Sequence, residues 1–371
     1  MPEQGEVQEL VFKCNSCGST LNYEPGTTKL KCPHCGTEQA IAPVAKPIVE
    51  HDIAELEPVP YTSSQGFGAE TRHFKCDRCG AITSLAQGQM ATKCAFCDSP
   101  VVVETPPVPG MVMPESLVPF VVGREKAIQL FQGWLRGLWF RPSDLKKRAA
   151  LAQIDGLYAP HFTFDANAFS RWSGYAGHYY YETEHYTAYE NGKQVQRTRQ
   201  VQKIRWEYRS GTHNAFYDDV LIDASKGLPR EILMRIYPYN LKGGLVPYRP
   251  DYLSGYKAEA YSIDPRDCWQ SARGEMQQGE RNECSRLLDG DTQRDLNVST
   301  DFSDIKWKHL LLPAYVASYQ YGAKVFRFMV NGQSGKVQGE APYSWLKIGA
   351  TIAVIAIVIA GIAAAKYFGL F

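Results

Sequence analysis

Excess charge of either sign is missing from this 371-residue chain: 40 Lys and Arg stand against 39 Asp and Glu, a formal net charge of +1. No global field therefore gathers nucleic acid or repels it. The start, MPEQGEVQELVFK, has no basic patch followed by an apolar stretch, so no secretory signal is visible. There is no H-E-x-x-H, which removes one family of zinc hydrolases. The segment Gly332–Val337 approaches a phosphate loop, but it lacks the first glycine, and Val337 stands where Ser or Thr would hold magnesium. Unpaired cysteine is scarce as well. Of ten cysteines, only Cys268 and Cys284 fall outside C-x-x-C pairs. Sixteen residues apart on one helix, these two would sit about 24 Å from each other and could not share an ion. They read as buried thiols.

What is present is a duplicated metal motif. FKCNSCG and KCPHCG supply Cys14, Cys17, Cys32 and Cys35, while FKCDRCG and KCAFCD supply Cys76, Cys79, Cys94 and Cys97. Fourteen residues separate the pairs in both sets, and the whole unit recurs with a shift of 62. Two residues between cysteines let one tight turn present two thiolates to one ion, and two such turns complete a tetrahedron around zinc. Gly18, Gly36 and Gly80 follow three of the turns and Asp98 the fourth, where positive φ lets amides face the sulfurs. The expectation is two zinc ribbons over 10–42 and 70–104, holding two structural Zn2+ ions. Four protein ligands leave no open position for water or substrate. So small a unit buries too little to fold alone, and metal supplies most of its folding free energy, on the order of 10 kcal/mol. His34, inside the second pair, is not needed as a ligand, and His73 precedes the second ribbon as a surface residue.

Charges near both ribbons are balanced: Arg72, Lys75, Arg78 and Lys93 against Asp77, Asp98 and Glu104, and Lys13, Lys29 and Lys31 against Glu24 and Glu38. Neither ribbon has a basic stripe that tracks phosphates. Phe67, Phe74 and Phe96 suit base stacking or ordinary ribbon packing. Protein binding is the favoured use, and nucleic-acid binding the alternative. Pro-rich segments at 43–69, which is acidic, and 105–119 read as extended linkers, on which the ribbons would move freely.

The remainder predicts a β-rich α+β domain over 120–342. After Gly123, residues Ala127, Ile128, Phe131, Trp134, Leu135, Leu138 and Trp139 recur at spacings of three and four, giving a helix packed on a sheet or lying on a bilayer. A second short helix begun by Ser143 would carry Lys146, Lys147 and Arg148 on a solvated face. From Leu157 to Ile222 the period falls toward two, with a hairpin at Asn191–Gly192, and a second hairpin spans Phe326–Val337. Asp264 and Pro265 open a helix as cap and first residue. His178, Glu182 and His185 tempt as a metal or acid–base group, but an odd separation puts the two histidines on opposite faces of a strand. No catalytic residue is assigned, and the chain is not expected to be an enzyme.

Near the other end, Ile348–Ala365 is free of charge, flanked by Lys347 and Lys366 and by Tyr343, Trp345 and Tyr367. This predicts a membrane-spanning helix over 345–368. Ala356, Ala360 and Ala364 form a small-residue stripe that suits helix packing or arises by chance. With no signal ahead of it, the helix would insert after synthesis and leave the bulk in the cytoplasm at the inner membrane.

The segments FKCNSCG, LYAPHFTFDA, DYLSGYKAEAY, KHLLLPAYVASYQY and FMVNGQSGKVQGEAPYSWLKI together resemble the bacterial YdjG-like membrane proteins, which have N-terminal zinc ribbons and a C-terminal membrane helix. Similar sequences sometimes carry primosomal or replication-helicase names, though this chain has no helicase motif. The resemblance implies partners of the phage-shock-protein-A type, membrane-remodelling proteins of envelope stress. The expected role is a membrane-tethered adaptor recruiting such cytoplasmic partners; the alternative is a nucleic-acid-binding protein of replication or phage type.

Overall fold

The structure is a computed structural model, and it describes residues 12–43, 47–56, 71–78, 81–86, 94, 99, 102–105, 112–143, 154–190, 192–322 and 324–367. In chain order the strands are β1 (Asn22–Tyr23), β2 (Lys29–Lys31), β3 (Glu38–Ala40), β4 (His51–Asp52), β5 (Thr71–Cys76), β6 (Ile82–Ala86), β7 (Val102–Thr105) and β8 (Ser116–Leu117). Then follow β9 (Asp155–Glu190), β10 (Lys193–Asp223), β11 (Val246–Pro247), β12 (Lys257–Ala260), β13 (Thr292–Tyr321), β14 (Lys324–Asn331) and β15 (Val337–Gly339). The helices are α1 (Arg124–Gly137), α2 (Arg230–Ile236), α3 (Pro265–Leu288) and α4 (Trp345–Tyr367). This is a β-rich α+β fold.

Three strands form the frame. β9, of 36 residues, pairs antiparallel with β10 along one edge and with β13 along the other. The β9–β13 ladder runs from Asp155↔Val316 to Gly177↔Thr292. Short strands tile the remaining edges near its base: β12 on β9, and β14, β8 and β4 on β13. From Leu310 to Tyr319, alternation along β13 feeds three separate clusters, one on its odd-numbered face and two on its even-numbered face. Leu311, Tyr315, Ala317 and Tyr319 join a cluster with α1 and the first cysteine unit. Ala314 and Val316 join one with α2, Cys76 and Cys94, and Leu310 and Leu312 another with Tyr239. A run such as LLLPAYVA is free of charge and buried throughout because both faces of the strand are covered.

Beyond Gly177 the third strand is gone, and β9 and β10 continue as a two-stranded arm to Glu190 and Lys193. Its faces differ in chemistry. One carries Tyr179 opposite Ile204, then Tyr181, Thr183, His185, Thr187 and Tyr189 opposite Gln and Thr, with Gln194, Gln196 and Gln200 bonding across to Tyr189, Thr187 and Thr183. The other carries ion pairs: Glu190–Arg197, Glu184–Arg199 and Glu182–Lys203.

Each register shift in the long strands holds an aspartate at positive φ: Asp219 (56°) between Tyr217 and Val220, Asp295 (54°) between Arg294 and Asn297, and Asp304 (50°) between Ser303 and Lys306. These bulges place a residue in the left-handed region, which Asp and Asn reach more readily than other non-glycine side chains.

Several local expectations are met. Asp264 caps α3 by accepting from the Arg266 amide, with Pro265 in the first turn. Ala272 and Met276 on its inner face are buried, as are Cys268 and Cys284 on the same helix. Gly192 sits at 78° in the β9–β10 turn, and β14 and β15 form the second hairpin. α1 packs on the sheet through Ala127, Phe131 and Leu135, with the Phe131 and Phe328 rings stacked at 3.3 Å. Trp139 is a correction: the helix ends at Gly137, and Trp139 lies beyond it, exposed. Asn191, the helix expected to carry Lys146, Lys147 and Arg148, and residues Phe67, Gly80, Phe96 and Asp98 lie outside the described residues.

The expected free movement of the first ribbon is not observed. Its amides at Tyr23 and Gly26 donate to Ser254 and Phe120 carbonyls at 2.9 and 2.8 Å, and the Ser254 hydroxyl donates to the Leu21 carbonyl. The described part of the acidic segment after it is docked too. β4 adds to β13, and Lys308, nearly buried, holds Glu50 at 2.7 Å and Asp219 at 2.6 Å. A proline-rich composition disfavours helix and internal strand, but it does not prevent an edge from pairing where an opposite charge waits.

The bulge argument makes a prediction. Asp295→Gly should leave the thermal midpoint of the detergent-solubilised chain essentially unchanged, whereas Asp295→Val should cost about 1–2 kcal/mol. Equal loss in both variants would mean that the aspartate acts through its side chain and not its backbone angle.

Candidate metal centre

The first cysteine unit is built on three short strands, β1–β2–β3. Each knuckle closes the same way. The Cys14 amide donates to the Ser19 carbonyl at 2.7 Å and the Gly18 amide back to Cys14 at 2.9 Å; Cys32 and Thr37, then Gly36 and Cys32, repeat this at 2.9 and 3.0 Å. Gly18 and Gly36 have φ of 72° and 76°, as the turn requires.

The four sulfurs lie within 4.8 Å of one another, with Cys14–Cys35 and Cys17–Cys32 at 3.5 Å. A tetrahedral zinc with bonds near 2.3 Å separates its sulfurs by about 3.8 Å, so the set fits that ion. Among the described residues it is the one group of His, Cys, Asp or Glu close enough to hold a metal. His34, exposed beside it, is not part of it. Cys14 and Cys32 are buried, Cys17 and Cys35 exposed.

Protons compete for these thiols. Hydrogen bonds from the Thr37 side chain and backbone pull Cys35 down to about 6, and the Ser16 amide lowers Cys14. Cys17 is lowered by the Ser19 amide, but Cys35, Cys32 and burial together push it up to about 12. Metal capture must displace the proton from Cys17, so affinity falls as pH falls.

The unit is seated by aromatic stacking. Phe120 stacks on Tyr256 at 4.1 Å, and Tyr23 meets Tyr252 edge-on at 5.1 Å and reaches the Phe120 carbonyl at 3.2 Å. Cys14 and Cys32 belong to the same buried cluster as Phe120, Tyr158 and Tyr315. Spacing within the motif gave no sign of these partners. Their one signal was the aromatic richness of the DYLSGYKAEAY segment.

For the second unit, Cys76 and Cys94 are described and buried, while Cys79 and Cys97 lie outside the described residues. The knuckle bond recurs in it: Cys76 donates to Ala81 and Cys94 to Ser99, both at 2.9 Å. β6 joins it to the main sheet through β12. Leu157 and Ala159 cluster with Cys76 and Cys94, whereas Tyr158 between them joins the first unit's cluster. The two cysteine units thus lean on opposite faces of one strand.

Other candidates resolve into structure. His178 and His185 fall on opposite faces of the arm. The Gly332 turn is a latch: Lys336 donates to the Tyr237 carbonyl at 2.6 Å, and Asn331 to that of Ile236 at 3.0 Å. Sequence reasoning missed one polar cluster. Glu280 of α3, fully buried, accepts from Ser170 at 2.7 Å and Tyr217 at 3.0 Å and meets His213 Nδ1 at 2.8 Å. Ser170 is itself buried and bonded to Thr300 and Glu280, which suits a core network more than a nucleophile. A glutamate on the inner face of a helix pattern, at Met276+4, was its signal.

Residues 10–44 match the model of the FORGETTER1 first zinc ribbon domain. Over 357 residues the chain is 25% identical to the Bacillus subtilis protein YdjG, described as uncharacterized, covering 93% of this chain and 94% of that one. No solved structure matches. The chain is therefore similar to YdjG over nearly its whole length and carries an N-terminal zinc ribbon.

Two outcomes follow. The full chain should hold zinc in its first ribbon, lose it faster below pH ~6, and on chelation lose hydrogen-exchange protection at Leu21–Tyr23 and also at Gly26, whose amide bonds to the Phe120 carbonyl. Protection at Gly26 unchanged after complete metal removal would show that the seat does not depend on the ion. Glu280→Ala should cost about 2–4 kcal/mol by calorimetry, because three donors lose their acceptor and a cavity opens. A loss no larger than that of Ser170→Ala would mean the network is not a stabilising element.

Proposed function

We propose that this protein is a membrane-tethered zinc-ribbon adaptor that brings cytoplasmic protein partners to the inner membrane. The observation that carries the reading is the combination of a closed four-thiolate site, seated on a rigid domain, with an apolar terminal helix. Helix Trp345–Ala364 is long and apolar enough to cross a bilayer, and none of it is buried against the rest of the chain. A closed site offers no position for substrate, so its role is to shape a surface. A tether raises the local concentration of whatever that surface binds.

A second Zn2+ at Cys76, Cys79, Cys94 and Cys97 belongs to the same proposal. The repeated spacing and the repeated knuckle bonds at Cys76 and Cys94 support it. The partner class comes from the resemblance: membrane-remodelling proteins of the phage-shock-protein-A type. The arm supplies an accessible aromatic surface, with Tyr181 65% and Tyr189 71% exposed. Against the nucleic-acid alternative, three of the arm's five cations, Arg197, Arg199 and Lys203, are each paired with a glutamate. Such pairing removes much of the charge that counterion release would draw on.

The test is a mild-detergent pull-down of the full chain from native membranes beside Tyr181→Ser/Tyr189→Ser, which alters exposed positions only. The expected result is a membrane-remodelling protein retained by the wild type and reduced about tenfold in the variant. Recovery of replication proteins and salt-sensitive nucleic acid instead would overturn the adaptor reading in favour of the alternative.

A further inference from the structure

The foot of the apolar helix does not stand alone. After α1 ends, the loop 138–141 turns back and lies along the first turn of α4. The Ser344 amide donates to the Phe140 carbonyl at 2.8 Å. Lys347 donates from Nζ to the carbonyls of Arg141 at 2.8 Å and Trp139 at 3.3 Å. The Arg141 guanidinium lies 3.7 Å over the Tyr343 ring and bonds the Ala341 carbonyl. Four carbonyls of two segments are thereby tied to two cations and one amide, and the loop's place beside the helix is fixed.

The side chains at this junction are those a soluble surface avoids. Trp139 is 72% exposed, Phe140 42%, Trp345 80% and Leu346 88%. All four belong to the loop or to the first turn of α4 that these bonds hold together, where Lys347 Nζ lies 5.7 Å over the Trp139 ring and Arg141 lies over Tyr343. Amphipathic rings flanked by Arg and Lys are the chemistry of the bilayer's headgroup level, where a ring sits among ester groups and a cation meets phosphate.

We propose that Trp139 and Phe140 enter the membrane interface beside the helix, making the loop 138–141 a second lipid contact. This deepens the tethered reading and rests on α4 being a membrane span. The ligand is the phospholipid interface itself. The loop carries α1, and α1 packs on the sheet through the Phe131–Phe328 stack, so the domain is held on the bilayer at two points and cannot swivel about the helix axis.

The experiment uses the full chain reconstituted in phosphatidylethanolamine–phosphatidylglycerol vesicles whose acyl chains are brominated near the headgroup. Tryptophan quenching is compared for wild type, Trp139→Phe and Trp345→Phe, both conservative at exposed positions. The expected result is that each variant loses roughly half of the quenchable emission, because Trp139 and Trp345 sit at the same depth. Quenching lost in Trp345→Phe but intact in Trp139→Phe would overturn the loop contact and leave the span standing. No quenching in the wild type would overturn the span and the loop contact together.

Discussion

From Asp155 to Gly177, strand β9 is hydrogen-bonded to β13, and nearly every other feature takes its place from that ladder. Its base is covered on both faces, which is why Leu310, Leu311 and Leu312 are all buried in succession. Helix α1 and the first cysteine unit press on one side, α2 and the second unit on the other. The arm is what remains when β13 stops. A frame built on contacts between residues 155 and 316 forms only after long loop closure, so its local pieces, the knuckles and hairpins, are the parts able to organise first.

The seat of the first ribbon ties metal chemistry to this frame. A unit with so small a core gains most of its order from four metal–sulfur bonds. Here Tyr23, Phe120 and Tyr256 add an aromatic contact, and the ordering of the ribbon becomes a condition of burying those rings. The segments that carry the likeness to YdjG-like proteins gather at the same end of the molecule: 157–166 on β9, 308–321 on β13, 251–261 under the ribbon, and 328–348 leading into α4. The base is where ribbon, sheet and apolar helix meet.

What the sequence made legible was local. Cysteine spacing specified the first ligand set, Asp264 and Pro265 marked a helix start, and Gly192 and Gly335 marked turns, because each depends on neighbours a few residues away. The apolar run at 345–364 was equally plain. The docking of the ribbon was not legible, because the amide of Gly26 bonds to Phe120 and that of Tyr23 to Ser254, partners far off in sequence. Neither was the length of β9: period-two patterning shows a strand but not where its partner ends. The bulge aspartates Asp219, Asp295 and Asp304 have no distinguishing neighbours in sequence, since their use lies in a backbone angle.

The change from three strands to two has a mechanical consequence. Resistance to bending within the plane of a sheet rises steeply with its width, so the segment from Asp155 to Gly177 is a stiff shaft and the stretch from Tyr179 to Glu190 a compliant tip of roughly 40 Å. At the transition Asp291 accepts from the Tyr179 amide at 2.8 Å, just past the last β9–β13 pair at Gly177 and Thr292. Thermal bending is therefore concentrated beyond that carboxylate, and the tyrosines on the tip sweep a volume of solution while the base keeps its shape.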